Sequence, residues 1–175
     1  LIDYDCDNSD RIRVVAADRE YIATLPERVA SGEGFLFFGP CGTGKDFLAL
    51  AILREAVLRN GMHVRRINGP EWYGHLRDLM DQEYASEAAE ISSLGSAQLL
   101  LISDPLPPID KLSKYEASML YRLLEKRQAN GRPTVVTMNT TGEPDARERM
   151  GHPTVERMKF KAWVAPCNWP SFRKP

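Results

Sequence analysis

The stretch Phe35-Leu36-Phe37-Phe38-Gly39-Pro40-Cys41-Gly42-Thr43-Gly44-Lys45-Asp46 decides how this chain is read. Its first four residues are a continuous apolar run between Gly34 and Gly39. Such a run predicts a strand covered on both faces, as in a parallel sheet. Gly39 to Lys45 then fits the spacing G-x-x-x-x-G-K. A helical pattern follows from Lys45 to Arg59 and stops at Asn60-Gly61. Its early part, Phe47 to Leu53, is wholly apolar, which predicts cover on most sides.

Strand, glycine loop and helix in this order make an anion cradle. The glycines let the backbone curl so that several N–H groups face one anion. The helix adds its positive end. Lys45 would place an ammonium on the β- and γ-phosphates of a triphosphate. Gly39, Pro40, Cys41, Gly42, Thr43, Gly44, Lys45, Asp46 and Phe47 are therefore the candidate nucleotide-binding residues. Position 46 departs from the pattern. A Ser or Thr hydroxyl would touch Mg²⁺ there. Asp46 offers a carboxylate, which also ligates Mg²⁺ but stands close to phosphate charge.

Further along the chain, strands and helices alternate. His63–Ile67, Gln98–Ile102 and Thr134–Met138 read as strands, with Ala162–Ala165 as a last short one. A helix opens at Pro70 with Trp72, Leu76, Leu79 and Met80 on one side. Ser113 and Glu116 form an S-x-x-E capping box before Met119, Leu120, Leu123 and Leu124. A short helix is expected near Asp145–Met150. Upstream, Ala16–Ala30 fits an amphipathic helix interrupted at Pro26. The polar stretch from Asp81 to Ser96 gives no clear pattern. The alternation predicts a three-layer α/β domain over residues 16–175, a parallel sheet flanked by helices, behind a leader over residues 1–15.

Composition narrows the classes. The chain has 175 residues, 43% apolar and 27% charged, with a formal net charge of -1. That is globular composition and excludes a uniformly basic coat for nucleic acid or membrane. No apolar run approaches the roughly 20 residues that span a bilayer. Three dispersed cysteines, Cys6, Cys41 and Cys167, give neither a disulfide framework nor a zinc site. A reducing, cytoplasmic setting is the expectation.

A phosphate loop of this kind needs a second strand that ends in an acid for Mg²⁺. Leu99-Leu-Leu-Ile-Ser103-Asp104-Pro105 is the candidate. In one register Ser103 takes the metal-side position and Asp104 the catalytic one. In the other, Asp104 is the metal-side acid and Pro105 follows. Both registers stand on sequence alone.

With these elements in order, the chain resembles the DnaC/IstB-like AAA+ ATPases, helicase loaders and transposition helpers, from about Tyr21 to Arg173. The resemblance rests on GPCGTGKD, LLLISD, LYRLLEKRQANGRPTVVTMNT and the tail ERMGHPTVERMKFKAWVAPCNWPSFR. It implies an AAA+ core without a separate lid domain, binding ATP with Mg²⁺. It implies sensor duty for Asn139 at the end of the fourth strand. It gives Arg157 the part of an arginine finger acting on a neighbouring copy, hence self-association, and Arg173 that of a terminal nucleotide sensor. Asp104 becomes the residue that polarises the attacking water. Asp46, Ser103 and Asp104 are the Mg²⁺-side candidates. Because family members carry a hydroxyl on the loop and a carboxylate on the strand, Asp46 and Ser103 read as an exchange of roles. The implied partners are DNA and a replicative helicase or a transposase.

Two other functions fit parts of the sequence. A non-hydrolysing, ATP-dependent scaffold follows from Asp46 and Ser103. A P-loop kinase for a small molecule would need an arginine-rich lid, but residues 81–96 hold no Arg or Lys. Basic residues gather at Arg122, Lys126, Arg127 and Arg132, read as a solvated helix face, and at Lys159, Lys161, Arg173 and Lys174. Trp72 and Tyr73 could stack on bases, although Trp72 lies on the apolar stripe.

Overall fold

The computed structural model describes residues 9–80 and 86–172. Five strands form one sheet: β1 (Gly34–Gly39), β2 (Val64–Asn68), β3 (Leu99–Ser103), β4 (Thr134–Asn139) and β5 (Ala162–Pro166). Their order is β2-β3-β4-β1-β5, and each neighbouring pair is parallel. The strand that leads into the phosphate loop is thus flanked on both sides, by β4 and β5.

Side chains alternate across the sheet, as the pleat requires. Leu36, Leu100, Ile102, Val136 and Met138 face one core. That core is closed by α4 (Gly69–Met80), α5 (Glu87–Ser96), α6 (Lys114–Ala129), α7 (Glu143–Met150) and α8 (His152–Lys159). Phe35, Phe37, Leu99, Leu101 and Val135 face the other. Its cover is α1 (Ser9–Ala23), α2 (Leu25–Ser31) and α3 (Lys45–Leu58). The result is the three-layer α/β architecture the alternation predicts.

Several expected boundaries move. The first helix begins at Ser9 rather than Ala16 and buries Val14 and Val15. Pro26 stands beside the expected interruption, since α1 ends at Ala23 and α2 starts at Leu25. It sits in the first turn of α2, where a missing N–H costs no hydrogen bond. The stretch from Asp81 to Ser96 contains α5, capped by the Ser86 hydroxyl, which accepts from the Ala89 N–H; residues 81–85 lie outside the described part. An eighth helix, α8, follows α7 directly. The α3 helix is not covered on most sides. Its sheet-facing positions Leu48, Ala49, Ile52, Leu53 and Ala56 are buried, while Phe47, Leu50, Val57 and Leu58 face solvent. Met80 likewise points outward from the α4 stripe.

The capping box of α6 is complete. The Ser113 hydroxyl accepts from the Glu116 N–H, and the Glu116 carboxylate accepts from the Ser113 N–H. Glu116 also pairs with Arg77, which ties α6 to α4.

Candidate functional site

A cleft of about 350 Å³ opens at the C-terminal ends of the strands. That volume lies within the range of small-molecule sites. Its lining joins the loop residues Cys41, Gly42, Gly44, Lys45 and Asp46 to Asp104, Asn139 and Phe172.

The loop curls through left-handed backbone at Gly42 and Gly44, with φ of 80° and 82°. A side chain at either position would be strained. Gly39 is required for a second reason: a Cβ there would stand 2.5 Å from the Cys167 carbonyl oxygen. Lys45 is buried and folds back on its own loop. Its Nζ donates to the Gly39 carbonyl at 2.9 Å and the Pro40 carbonyl at 2.6 Å. Burial lowers the Lys45 pKa from its ordinary value, against the pull of nearby Cys167, Asp104, Cys41 and Asp46.

Thr43 is fully buried, so its hydroxyl serves the loop by donating to the Pro40 carbonyl. Phe47 points to solvent outside the cleft lining. The C-terminal segment clasps the loop from the far side. The Trp169 indole N–H donates to the Thr43 carbonyl, and the Phe172 N–H donates to the Gly42 carbonyl at 2.8 Å. Arg173 lies outside the described residues.

The acidic side of the cleft is built on β3 and β4. Asp104 follows β3 with φ of 45°, an uncommon conformation for a residue with a side chain. Its N–H donates to the Thr137 carbonyl, and its Oδ1 accepts from Asn139 Nδ2 at 2.7 Å. Asp46 Oδ1 accepts from the Thr137 hydroxyl at 2.5 Å. The two carboxylates are therefore held by neighbouring positions of β4. Ser103 is not brought into the cleft. It is buried, and its hydroxyl meets Arg66 Nε at 3.5 Å.

Three residues that hold the acidic side escaped the sequence reading. Gly69 lets α4 start against Asp104, where a Cβ would come within 2.6 Å of the Asp104 carbonyl oxygen. Tyr73 is buried and donates its hydroxyl to the Pro105 carbonyl at 3.0 Å, so it is not available to stack on bases. Arg149 donates to the carbonyls of Pro107, Asp110 and Asn139. One guanidinium thus braces the segment after Asp104 and the strand end that carries Asn139. Its one local trace is the i,i+4 pair with Asp145 at 3.8 Å; its hydrogen-bond partners are remote backbone carbonyls.

Arg157 stands apart from the cleft. It lies near the start of β4, beside Thr134, whereas Asn139 ends that strand. Six residues of strand separate the two ends by about 17 Å. Its guanidinium donates to Gln128, to the Tyr121 hydroxyl at 2.7 Å and to Glu125 at 3.0 Å. It also stacks over the Tyr121 ring. Arg127 does not belong to a solvated face. It is 1% exposed and donates to the carbonyls of Leu94, Ala97 and Pro133 and to the Thr134 hydroxyl. Burial lowers its pKa to about 9, with Arg132 adding to the shift.

Hard oxygen donors suit Mg²⁺, which commonly takes one or two carboxylates and completes its shell with phosphate and water. Asp46 and Asp104, facing one cleft with Lys45 between loop carbonyls, fit that donor set. No cluster of three His, Cys, Asp or Glu side chains that would cage a metal unaided occurs among the described residues.

The fold and this cleft define a P-loop protein of the AAA+ class. IstB-like ATP-binding proteins match over residues 10–173, and the chain belongs to that family. It is 28% identical over 165 residues to the replicative helicase loader DnaC of Escherichia coli K12. The match covers 93% of this chain and 64% of that protein, so the chain spans just under two thirds of its curated relative. The crystal structure of the DnaC helicase loader aligns with a TM-score of 0.81, 19% identity and 93% coverage of both chains. That of DnaI gives 0.76 at 18% identity, covering 98% of this chain and 89% of the other. AMPPCP-bound DnaA from Aquifex aeolicus gives 0.72 at 13%, covering 92% and 48%. No helix among the described residues is long and apolar enough to cross a membrane.

Proposed function

We propose that the chain binds ATP with Mg²⁺ in the loop cleft and hydrolyses it when a second copy supplies Arg157. The observation that carries this reading is the meeting of Lys45, Asp46, Asp104 and Asn139 around one cavity of about 350 Å³. Lys45 would exchange its two loop carbonyls for oxygens of the β- and γ-phosphates. Asp46 and Asp104 would hold Mg²⁺, which would neutralise charge on the phosphates. Asp104, steered by Asn139, would also polarise the attacking water. Arg157 cannot reach its own cleft from the start of β4, so its charge would act on nucleotide bound by a neighbour.

The work served by this cycle would be helicase loading, by likeness to DnaC, or assistance to a transposase on DNA. A non-hydrolysing scaffold is the second reading. It is favoured by the hold of Tyr121, Gln128 and Glu125 on Arg157 within one subunit. A small-molecule kinase is disfavoured, because α5 buries Ile91 and Leu94 in the core instead of forming a charged lid.

The deciding experiment follows ATP binding and phosphate release together, with Mg²⁺, across protein concentration, with and without single-stranded DNA. Turnover per subunit that rises steeply with concentration and is lost in Arg157→Ala supports the oligomeric ATPase. Tight binding without turnover moves the assignment to the scaffold. Absence of ATP binding that Lys45→Ala can weaken overturns both.

A further inference from the structure

A second cavity lies at the N-terminal ends of β1 and β4, at the opposite end of the strands from the nucleotide cleft. It encloses about 70 Å³. A drug-sized ligand needs roughly 300 Å³ or more, while one water takes up about 30 Å³ of liquid. The space therefore suits one small ion.

Its lining includes Arg132, Arg157 and Lys161 and no Asp or Glu. The positive charge there is poorly compensated. Arg132 is half-buried; its N–H donates to the Arg127 carbonyl, while its guanidinium makes no hydrogen bond or ion pair among the described residues. Lys161 Nζ donates only to the Ser31 carbonyl, at 3.2 Å. Arg157 has Glu125 as a partner, but Glu125 is not part of the lining. A second carboxylate nearby, Glu33, is taken by Arg28, Ser31 and Trp163.

Beneath the cavity, buried Arg127 rests on neutral acceptors alone. A buried guanidinium without a carboxylate leaves its full charge to be felt by its surroundings. One of its acceptors is the hydroxyl of Thr134, a lining residue, which keeps its own proton for another partner. Lys161 is also held at φ of 52°, a left-handed backbone that a side chain rarely adopts without a constraint.

We propose that Arg132 and Lys161 form a binding pocket for a single phosphate group. The group comes either from free phosphate or from a nucleic-acid backbone. Planar guanidinium forks bind such oxyanions with two parallel N–H bonds, and the ammonium adds a point charge. The pocket is separate from the loop cleft and does not depend on the nucleotide reading.

The test is calorimetric titration of the whole chain with sodium phosphate, against sodium chloride at matched ionic strength, in the parent and in Lys45→Ala. Saturable binding that survives Lys45→Ala is expected. Arg132→Ala, or Arg132→Gln if alanine impairs folding, should weaken it at least tenfold. Lys161→Gly should do the same while keeping the left-handed backbone, and Arg132→Lys should retain part of the affinity. Displacement of phosphate by oligo(dT) assigns the group to a nucleic-acid backbone; retention of phosphate assigns it to the free ion. Binding lost in Lys45→Ala, or unchanged in both Arg132 and Lys161 variants, overturns the proposal.

Discussion

Trp169 donates its indole N–H to the Thr43 carbonyl at 3.0 Å, joining the C-terminal segment to the phosphate loop across 126 residues of chain. Both groups are buried. Trp169→Phe keeps an aromatic ring but leaves that carbonyl without its donor. A buried, unsatisfied acceptor costs about 1–3 kcal/mol. The variant should melt earlier and bind ATP more weakly, as thermal denaturation and nucleotide titration would read. Unchanged affinity at lowered melting temperature would restrict the clasp to stability.

Asp46 and Ser103 have different partners, Thr137 and Arg66. Thr137 is also the register partner of Ser103 across β3 and β4, so the two positions share a neighbour and the reciprocal substitution is expected to behave as coupled changes. In a double-mutant cycle of Asp46→Thr and Ser103→Asp on ATP affinity, the coupling should exceed about 0.5 kcal/mol. Asp46→Thr alone should tighten ATP in the absence of Mg²⁺, because a negative charge leaves the phosphate site. Additivity within that margin would remove the exchange of roles.

Arg149 braces two parts of the acidic side at once. Arg149→Ala should let the Asp104 and Asn139 side chains drift from their shared hydrogen bond. Misplacement on the scale of 1 Å lowers turnover by up to about a hundredfold. Phosphate release should fall by roughly that order, with a smaller change in KM. A raised KM with unchanged turnover would assign Arg149 to binding instead.

Asp18 is fully buried in α1, and neither carboxylate oxygen has a hydrogen-bond partner. Burial raises its pKa to about 7, from an ordinary value of 3.8. The folded chain thus holds a proton that the unfolded chain has already released between those values. Stability falls as pH rises from about 4 to about 7, and the full cost, at most about 4 kcal/mol, is present above pH 7. Asp18→Asn should raise the melting temperature at pH 8 and change it little near pH 4. A pH-independent difference would show that Asp18 stays charged or neutral throughout.

The parts legible in the sequence were those encoded by neighbours in the chain. The apolar run before Gly39, the helix after Gly44 and both halves of the Ser113–Glu116 box each carry their own local pattern. The α8 helix left a weaker trace. It has only Val155 and Met158 as buried hydrophobic anchors and starts at Gly151, whose φ of 87° separates it from α7. Arg127 read as solvated because a charged helix residue normally is. Its burial is supported by acceptors from the α5–β3 and α6–β4 connections, which only the fold brings together. Asp104 was legible as an acid, but its bond to Asn139 was not. The roles of Trp169 and Arg149 rest on backbone carbonyls, which have no signature in sequence.

The place of β1 between β4 and β5 also bears on the order of events during synthesis. One of the two strands that flank the loop strand, and the indole that fixes its loop, are translated more than a hundred residues after it. A ribosome that has produced the whole loop has not yet produced its supports. On the proposed function, full nucleotide affinity would follow only once the segment around Trp169 has left the exit tunnel. A nascent chain stopped before Ala162 would present the loop strand as an open edge, available to other strands before it is available to ATP.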